Sequence, residues 1–300
     1  MTRALLHDRA AFVSFLVLAV IAAACVLAPL YAARVSGTDP FSTNIDGRVN
    51  GVEVLRQNTD GLGLGSTPIG PGWRASYLLG ADGQGRDLAA RLLFGGRTSL
   101  VIAAAATALT LVLALPIGML AGYAGGKTDA ALSLLLDLLW AFPVYLLAIS
   151  LSAVLISQSD SLLVPIAILG VIYVPYVARP LRSEVRGVAE TEFVAAAVSL
   201  GATSAHVLRR HVLPSAASQL LLFAPVVMAF DLLTEAALSV LSVGVQAPGA
   251  SWGTLIADGQ VLIYSRPLAA IAPGLAVVAT VLALNVLSER VQVALDARAR

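Results

Sequence analysis

The chain has 300 residues, of which 58% are hydrophobic and 12% charged, against roughly 25% charge in an average soluble domain. So little polar surface cannot coat a water-soluble globule, and a formal net charge of +1 gives no bulk attraction to nucleic acid. The single cysteine, Cys25, lies inside an apolar run and excludes an internal disulfide or a cysteine metal cluster.

Arg3 and Arg9 precede an apolar run over 10–33. A secretory signal core is roughly 7–15 residues long, and this run is longer. It is long enough to cross a ~30 Å hydrocarbon layer as a helix, so it predicts a retained first transmembrane span. The segment 34–97 is polar and Gly-rich. Its run GLGLGSTPIGPGW (61–73) predicts irregular backbone. Leu88, Leu92 and Leu93 set against Arg86, Asp87 and Arg91 predict a short amphipathic helix over 86–93, lying at the interface.

Five further apolar stretches follow, over 100–121, 130–156, 162–178, 214–245 and 267–287. Backbone polar groups in lipid must be satisfied within the segment, so each predicts a helix. The fold class is an all-α integral membrane protein with six transmembrane helices and a two-helix loop. It divides into an N-terminal stretch and first span (1–33), a segment outside the membrane (34–97), a five-span core (98–290) containing the 180–213 loop, and a tail (291–300). The positive-inside bias sets the orientation. Arg3, Arg9, Lys127, the cluster Arg179, Arg182, Arg186, Arg209 and Arg210, and the tail arginines fall on one side. Apart from Arg266, the remaining basic residues sit in the long 34–97 segment, where the rule loses force. Both termini and the 180–213 loop are expected on the cytoplasmic side of the membrane.

The stretch AGYAGGKT (121–128) approaches a phosphate-binding loop but has Ala121 where the pattern needs glycine, and it leaves a membrane helix rather than a strand. A Gly-rich turn is the expectation there. GLGLG lacks the βαβ setting of a dinucleotide fingerprint. His7 is isolated, and His206 and His211 are five apart rather than at metal-ligand spacing on one helix face. No catalytic site, cofactor site or metal site is expected in the chain.

Asp137, Asp231 and Glu235 fall at membrane depth, where an unpaired charge costs several kcal/mol. Asp231 and Glu235 share a helix face. They line a solute path or bond helices together; a proton relay is a third use and would suit an ion-coupled secondary transporter. For Asp137, helix-to-helix bonding is the expectation.

In the loop, 190–200 predicts a helix with Phe193, Ala196, Ala197 and Leu200 on one face. Gly201 predicts its stop, Thr203 or Ser204 caps a second short helix through Arg210, and Pro214 suits the first turn of the fifth span. Two short helices with an apolar outer face predict a protein partner.

The loop EFVAAAVSLGATSAHVLRRHVLP (192–214) resembles the EAA loop of permease subunits in bacterial ATP-binding-cassette importers, in particular the second permease of the dipeptide, oligopeptide and nickel group. The stretches LLGADGQGRDLAARLLFGGRTSL (78–100), AGYAGGKTDAALSLLLDLLWAFP (121–143) and LTEAALSVLSVGVQAPGASWGTLIADG (233–259) are similar to that family in the same order. The resemblance implies a type I importer permease forming half of a pore with a related second permease. It also implies two cytoplasmic ATPases that bind the ATP and magnesium, and an external solute-binding protein. Short peptides are the implied solutes, with nickel chelates or other small solutes as the alternative. It assigns ATPase coupling to Glu192, Ala196, Ala197, Gly201, Arg209, Arg210, His211 and Pro214. Ala195 stands where the family usually has a glutamate, which shifts the expected docking toward apolar packing and toward Arg209 and Arg210. The family's segment between the first and second spans is usually shorter than 34–77.

Overall fold

The computed structural model describes residues 8–49, 51–57, 65–72, 75–155 and 162–299. Arg3, His7, Ile156, Arg300 and parts of the 61–73 run lie outside the described residues.

Helix α1 (Arg9–Val26) starts where Asp8 Oδ1 accepts the N–H groups of Ala10 and Ala11 at 2.8 and 3.1 Å. A turn (Ala28–Tyr31) and a π-helical turn (Ala32–Ser36) follow, and Gly37 closes them at φ 63°. Next comes a small cap of two hairpins. β1 (Arg48–Val49) pairs with β2 (Val52–Glu53), and β3 (Leu55–Gln57) pairs with β4 (Ser66–Pro68), both antiparallel. The irregular backbone expected over 61–73 is therefore corrected at Ser66–Pro68, where β3 supplies the strand partner. Tyr77 sits under the cap, receiving Asn44 Nδ2 at 2.8 Å and donating to Gly85 O at 3.1 Å. Burial pushes its hydroxyl above the ordinary tyrosine pKa.

Helix α2 (Leu88–Ala124) corrects the separate interfacial helix expected over 86–93. Arg86 and Asp87 precede the helix, and Leu88 to Leu93 form the opening turns of this 37-residue span. Asp87 is the N-cap, bonding Ala89 N at 2.9 Å and Ala90 N at 3.2 Å through Oδ1. The charged face is inside rather than out: Arg86 and Arg91 are buried because acidic partners meet them there.

Gly125 and Gly126, at φ 61° and 53°, turn the chain into α3 (Gly126–Trp140). This is the helix–glycine–helix turn expected for 121–128. The third span breaks after α3. Phe142 precedes Pro143, which disfavours helical backbone at Phe142, and α4 (Val144–Leu155) departs at 82° to α3. The single helix expected over 130–156 is corrected on this point: the span is there, but as two helices joined at a bend.

Helices α5 (Leu163–Ile172) and α6 (Val174–Ala189) together form one 27-residue span. The loop expected to begin at Pro180 begins instead at Glu190. An internal proline costs ~3 kcal/mol, but Leu181 and Val185, both fully buried, hold α6 against α2 through it. Gly118 and Gly122 of α2 make that approach possible. A Cβ on Gly118 would lie 2.9 Å from Leu181 Cδ2, and one on Gly122 only 2.6 Å from Arg182 O.

After the loop, α7 (Glu192–Ser199) and α8 (Ser204–Val207) lead through a π-helical turn (Leu208–Val212) into α9 (Leu213–Val240). Helix α10 (Trp252–Gln260) packs on α2, and α11 (Leu268–Ala299) completes the bundle. At that end Gly96 is the close-approach point, where a Cβ would meet Cys25 Sγ at 2.5 Å and the Trp252 ring at 2.7 Å. Among the described residues five helical stretches are long and apolar enough to span a membrane, and the bent α3–α4 pair makes a sixth.

Candidate functional site

The segment from Thr191 to Arg210 has a buried inner side and an open outer side. Val194 of α7 packs with Val207 and Val212 against Leu181 and Val185 of α6 and Ala216 of α9. That cluster fixes the segment on the bundle. Phe193, Ala196 and Leu200 share another face, and they and Val198 are exposed, Leu200 being 89% accessible. An apolar side chain left that open favours a covering surface.

Helix α7 stops in a complete Schellman arrangement. Ala202 N bonds Ala197 O at 3.0 Å and Gly201 N bonds Val198 O at 2.9 Å, with Gly201 at φ 89°. A Cβ on Gly201 would meet nothing within 4 Å, so backbone conformation alone demands glycine there. Thr203 caps α8, its Oγ1 accepting His206 N at 3.3 Å. Of the two expected caps, Thr203 takes the role.

The second short helix does not stop at Arg210. Leu213 N bonds Leu208 O in the π-helical turn, and Pro214 follows at once. A proline ring clashes with the carbonyl four residues back, and widening the helix by one residue removes that contact. Ser204–Val240 is consequently one 37-residue helical run. Glu192, Arg209, Arg210 and Pro214 are exposed, and His211 is half-buried. Phe193 and His211 rings lie 5.6 Å apart, and His206 and His211 rings 6.2 Å apart. Of the candidate coupling residues, His211 is thus brought beside Phe193 and His206, and Arg209 and Arg210 line a shallow recess with His206. Sequence reasoning missed the residues that hold it: Val194, Val207 and Val212 face inward. Val207 and Val212, five apart, fall out of ordinary helical phase because the π turn intervenes.

The acids at membrane depth behave differently. Asp231 and Glu235 are 0% and 1% exposed, inside the packing of α2, α9 and α10. Glu235 receives Ser99 Oγ and Ser239 Oγ, each at 2.8 Å, and Asp231 receives Thr107 Oγ1 at 2.7 Å. Thr234 on the same helix meets Tyr173 OH at 2.7 Å. Neither acid lines an open path in this chain, which corrects the pore-lining expectation in favour of helix-to-helix bonding. The hydroxyls at 99 and 107 turn the costly buried carboxylates into cross-links between α2 and α9, while Ser239 adds a bond within α9. Asp137 pairs with Arg179, whose guanidinium also stands 4.4 Å over the Trp140 ring, and Asp129 pairs with Arg182. These two pairs tie α3 to α6.

Residues 114–300 match the family described as the inner membrane component of binding-protein-dependent transport systems. The chain is 33% identical to the dipeptide transport system permease protein of Alkalihalophilus pseudofirmus, over 74% of this chain and 72% of the relative. It is 32% identical to the glutathione transport system permease protein of Pectobacterium atrosepticum, over 76% and 75%. It is 33% identical to the oligopeptide transport system permease protein of Bacillus subtilis, over 75% and 72%. Its fold is similar to the MetNI methionine transporter in an inward-facing crystal form, with a TM-score of 0.56, 20% identity, and coverage of 67% of this chain and 95% of that one. With its apolar spans, glycine-ended loop helix and buried anchor, the chain belongs to the family of binding-protein-dependent transport system inner membrane components, as a permease subunit of an ATP-binding-cassette importer.

Proposed function

We propose that this permease carries short peptides, forming half of a pore with a second, related permease. Its 190–213 loop docks one of the complex's two ATPase subunits. The relatives named for dipeptide and oligopeptide transport support the solute class. The observation that carries the coupling role is the division of the loop. Val194, Val207 and Val212 are locked into the bundle while Phe193, Val198, Leu200, Arg209 and Arg210 stand open.

The positive-inside bias puts this loop and both termini in the cytoplasm, and the hairpin cap at the other end of the bundle then faces the solute-binding protein. Docking here is mainly apolar, since Ala195 offers no charge, with the two arginines and His211 at the edge. ATP and magnesium sit in the partner ATPases. Closure of those subunits moves the loop as a rigid piece and switches the pore between inward- and outward-facing arrangements. Through its spans the chain also contacts membrane lipid.

Reconstitution into proteoliposomes with the partner permease, ATPases and binding protein tests the reading. ATP-dependent accumulation of a labelled dipeptide is the expected result. Accumulation driven by a proton gradient in the absence of ATP would overturn it.

A further inference from the structure

At the bundle end opposite the 190–213 loop, a cavity of about 210 Å³ lies between the start of α2, the end of α9 and α10. Its walls include Gln84, Arg86, Arg91 and Asp258. Two guanidiniums buried beside one small space are unusual, because charged side chains are almost never fully buried unless paired. Arg86 and Arg91 are 5% and 1% exposed.

The two acids that balance them are held in different ways. Asp82 is fixed: its Oδ1 accepts Gln84 N at 2.9 Å and Arg86 N at 3.0 Å, and its Oδ2 accepts Arg86 Nε at 2.7 Å. Asp258 is not. Its side chain is 40% exposed, and only Oδ2 is engaged, by Arg86 Nη2 at 2.9 Å and Arg91 Nη2 at 3.4 Å. Arg91 Nε donates no hydrogen bond, although Asp82 Oδ2 lies 3.3 Å away. The guanidinium pair therefore has one permanent counter-ion, one open to solvent, and an unspent donor.

We propose that this cavity is a carboxylate-binding site in which Asp258 stands in for the ligand. The free carboxylate of a short peptide displaces Asp258 from Arg86 and Arg91, and Asp258 turns into solvent. The site rests on the peptide reading given under Proposed function. Charge selects the ligand class. One carboxylate for one carboxylate leaves the pocket neutral, whereas a phosphate dianion would leave an uncompensated buried charge. Planar guanidiniums also match a carboxylate with two parallel hydrogen bonds. Size selects how much enters. Liquid water occupies ~30 Å³ per molecule, so the cavity takes a terminal residue and leaves the rest of the peptide outside.

The test uses the permease–ATPase complex in lipid nanodiscs without its soluble binding protein, with N-acetylalanine and N-acetylalaninamide as probes, read by calorimetry. Asp258→Asn keeps an acceptor for both arginines but removes the competing charge. It is expected to tighten N-acetylalanine binding at least tenfold over the wild-type complex, while the amide binds neither form. Arg91→Gln is expected to abolish binding of the acid, with the melting temperature of the complex recorded alongside. Equal binding of N-acetylalanine by wild type and Asp258→Asn overturns the proposal, as does equal binding of acid and amide or no binding at all. Dipeptide uptake by the same complex, with binding protein added, separates the two readings. If ATP drives no dipeptide uptake, the transport reading fails; uptake without the Asp258 effect sinks the carboxylate site alone.

Discussion

Ser99 on α2 donates to Glu235 Oε2 on α9 at 2.8 Å while accepting the backbone N–H of Trp252, the first residue of α10, at 3.1 Å. One hydroxyl thus joins three helices, and the carboxylate it serves takes a second bond from Ser239. Glu235→Ala leaves two buried hydroxyls short of an acceptor, at ~1–3 kcal/mol each. The expected outcome is a clear fall in melting temperature, with Glu235→Gln much closer to wild type because its amide oxygen still accepts. A melting curve of the purified complex in nanodiscs decides it. Equal loss in both variants would show that charge, rather than the shared acceptor, matters.

Gly201 separates backbone strain from contact. With open space around its Cβ position and φ at 89°, Gly201→Ala bears only the left-handed conformation, ~1–2 kcal/mol, and Gly201→Val more. Membrane insertion should be normal in both. Uptake should fall further than ATP hydrolysis, and further in valine than in alanine. Wild-type uptake by Gly201→Val would sink the coupling role of the loop.

Val194 and Phe193 are adjacent but have opposite duties, one buried in the anchor and one exposed. Val194→Asp places an unpaired charge in the Leu181–Val207–Val212 cluster and should lower the melting temperature of the permease itself. Phe193→Ser should leave that temperature unchanged and reduce the amount of ATPase that co-purifies. A matching pattern in the two variants would contradict the two-sided reading of α7.

The glycine notches of α2 give a graded test. At Gly122 the obstacle to a methyl group is the Arg182 carbonyl, whereas at Gly118 it is the Leu181 side chain. Gly122→Ala should therefore destabilise more than Gly118→Ala, within the ~1–3 kcal/mol typical of overpacking. Asp137→Asn leaves Arg179 without its counter-charge in a membrane-spanning segment, and should cost more than the ~1 kcal/mol of a water-exposed pair.

Much of the span pattern was legible in the sequence because lipid forces each apolar run to satisfy its own backbone. Gly201 and Thr203 were legible for a similar reason: a helix end needs a left-handed residue and a side-chain acceptor within a few positions. Arg86 and Arg91 misled, since their partners Asp82 and Asp258 meet only after folding, and Asp258 is more than 160 residues from either. Pro180 misled in the opposite direction. A proline reads as a boundary, and only the packing of Leu181 and Val185 on the glycines of α2 shows why the helix continues. Asp231 and Glu235 were legible as a pair on one face, but Ser99 and Thr107, on another helix, decided what that face does.

The π-helical turn before Pro214 has a consequence for phase. An α-helix advances about 100° per residue, so a turn that takes up one extra residue offsets the residues beyond it by about that angle from where an unbroken α-helix of the same sequence would put them, while adding little length. The 208–212 turn thus sets the compass bearing of His206, Arg209 and Arg210 relative to Asp231 and Glu235 at the far end of the same rod. Deleting one residue there would return the turn to α geometry and keep that bearing, with Val207 and Val212 then four apart on the same inner face.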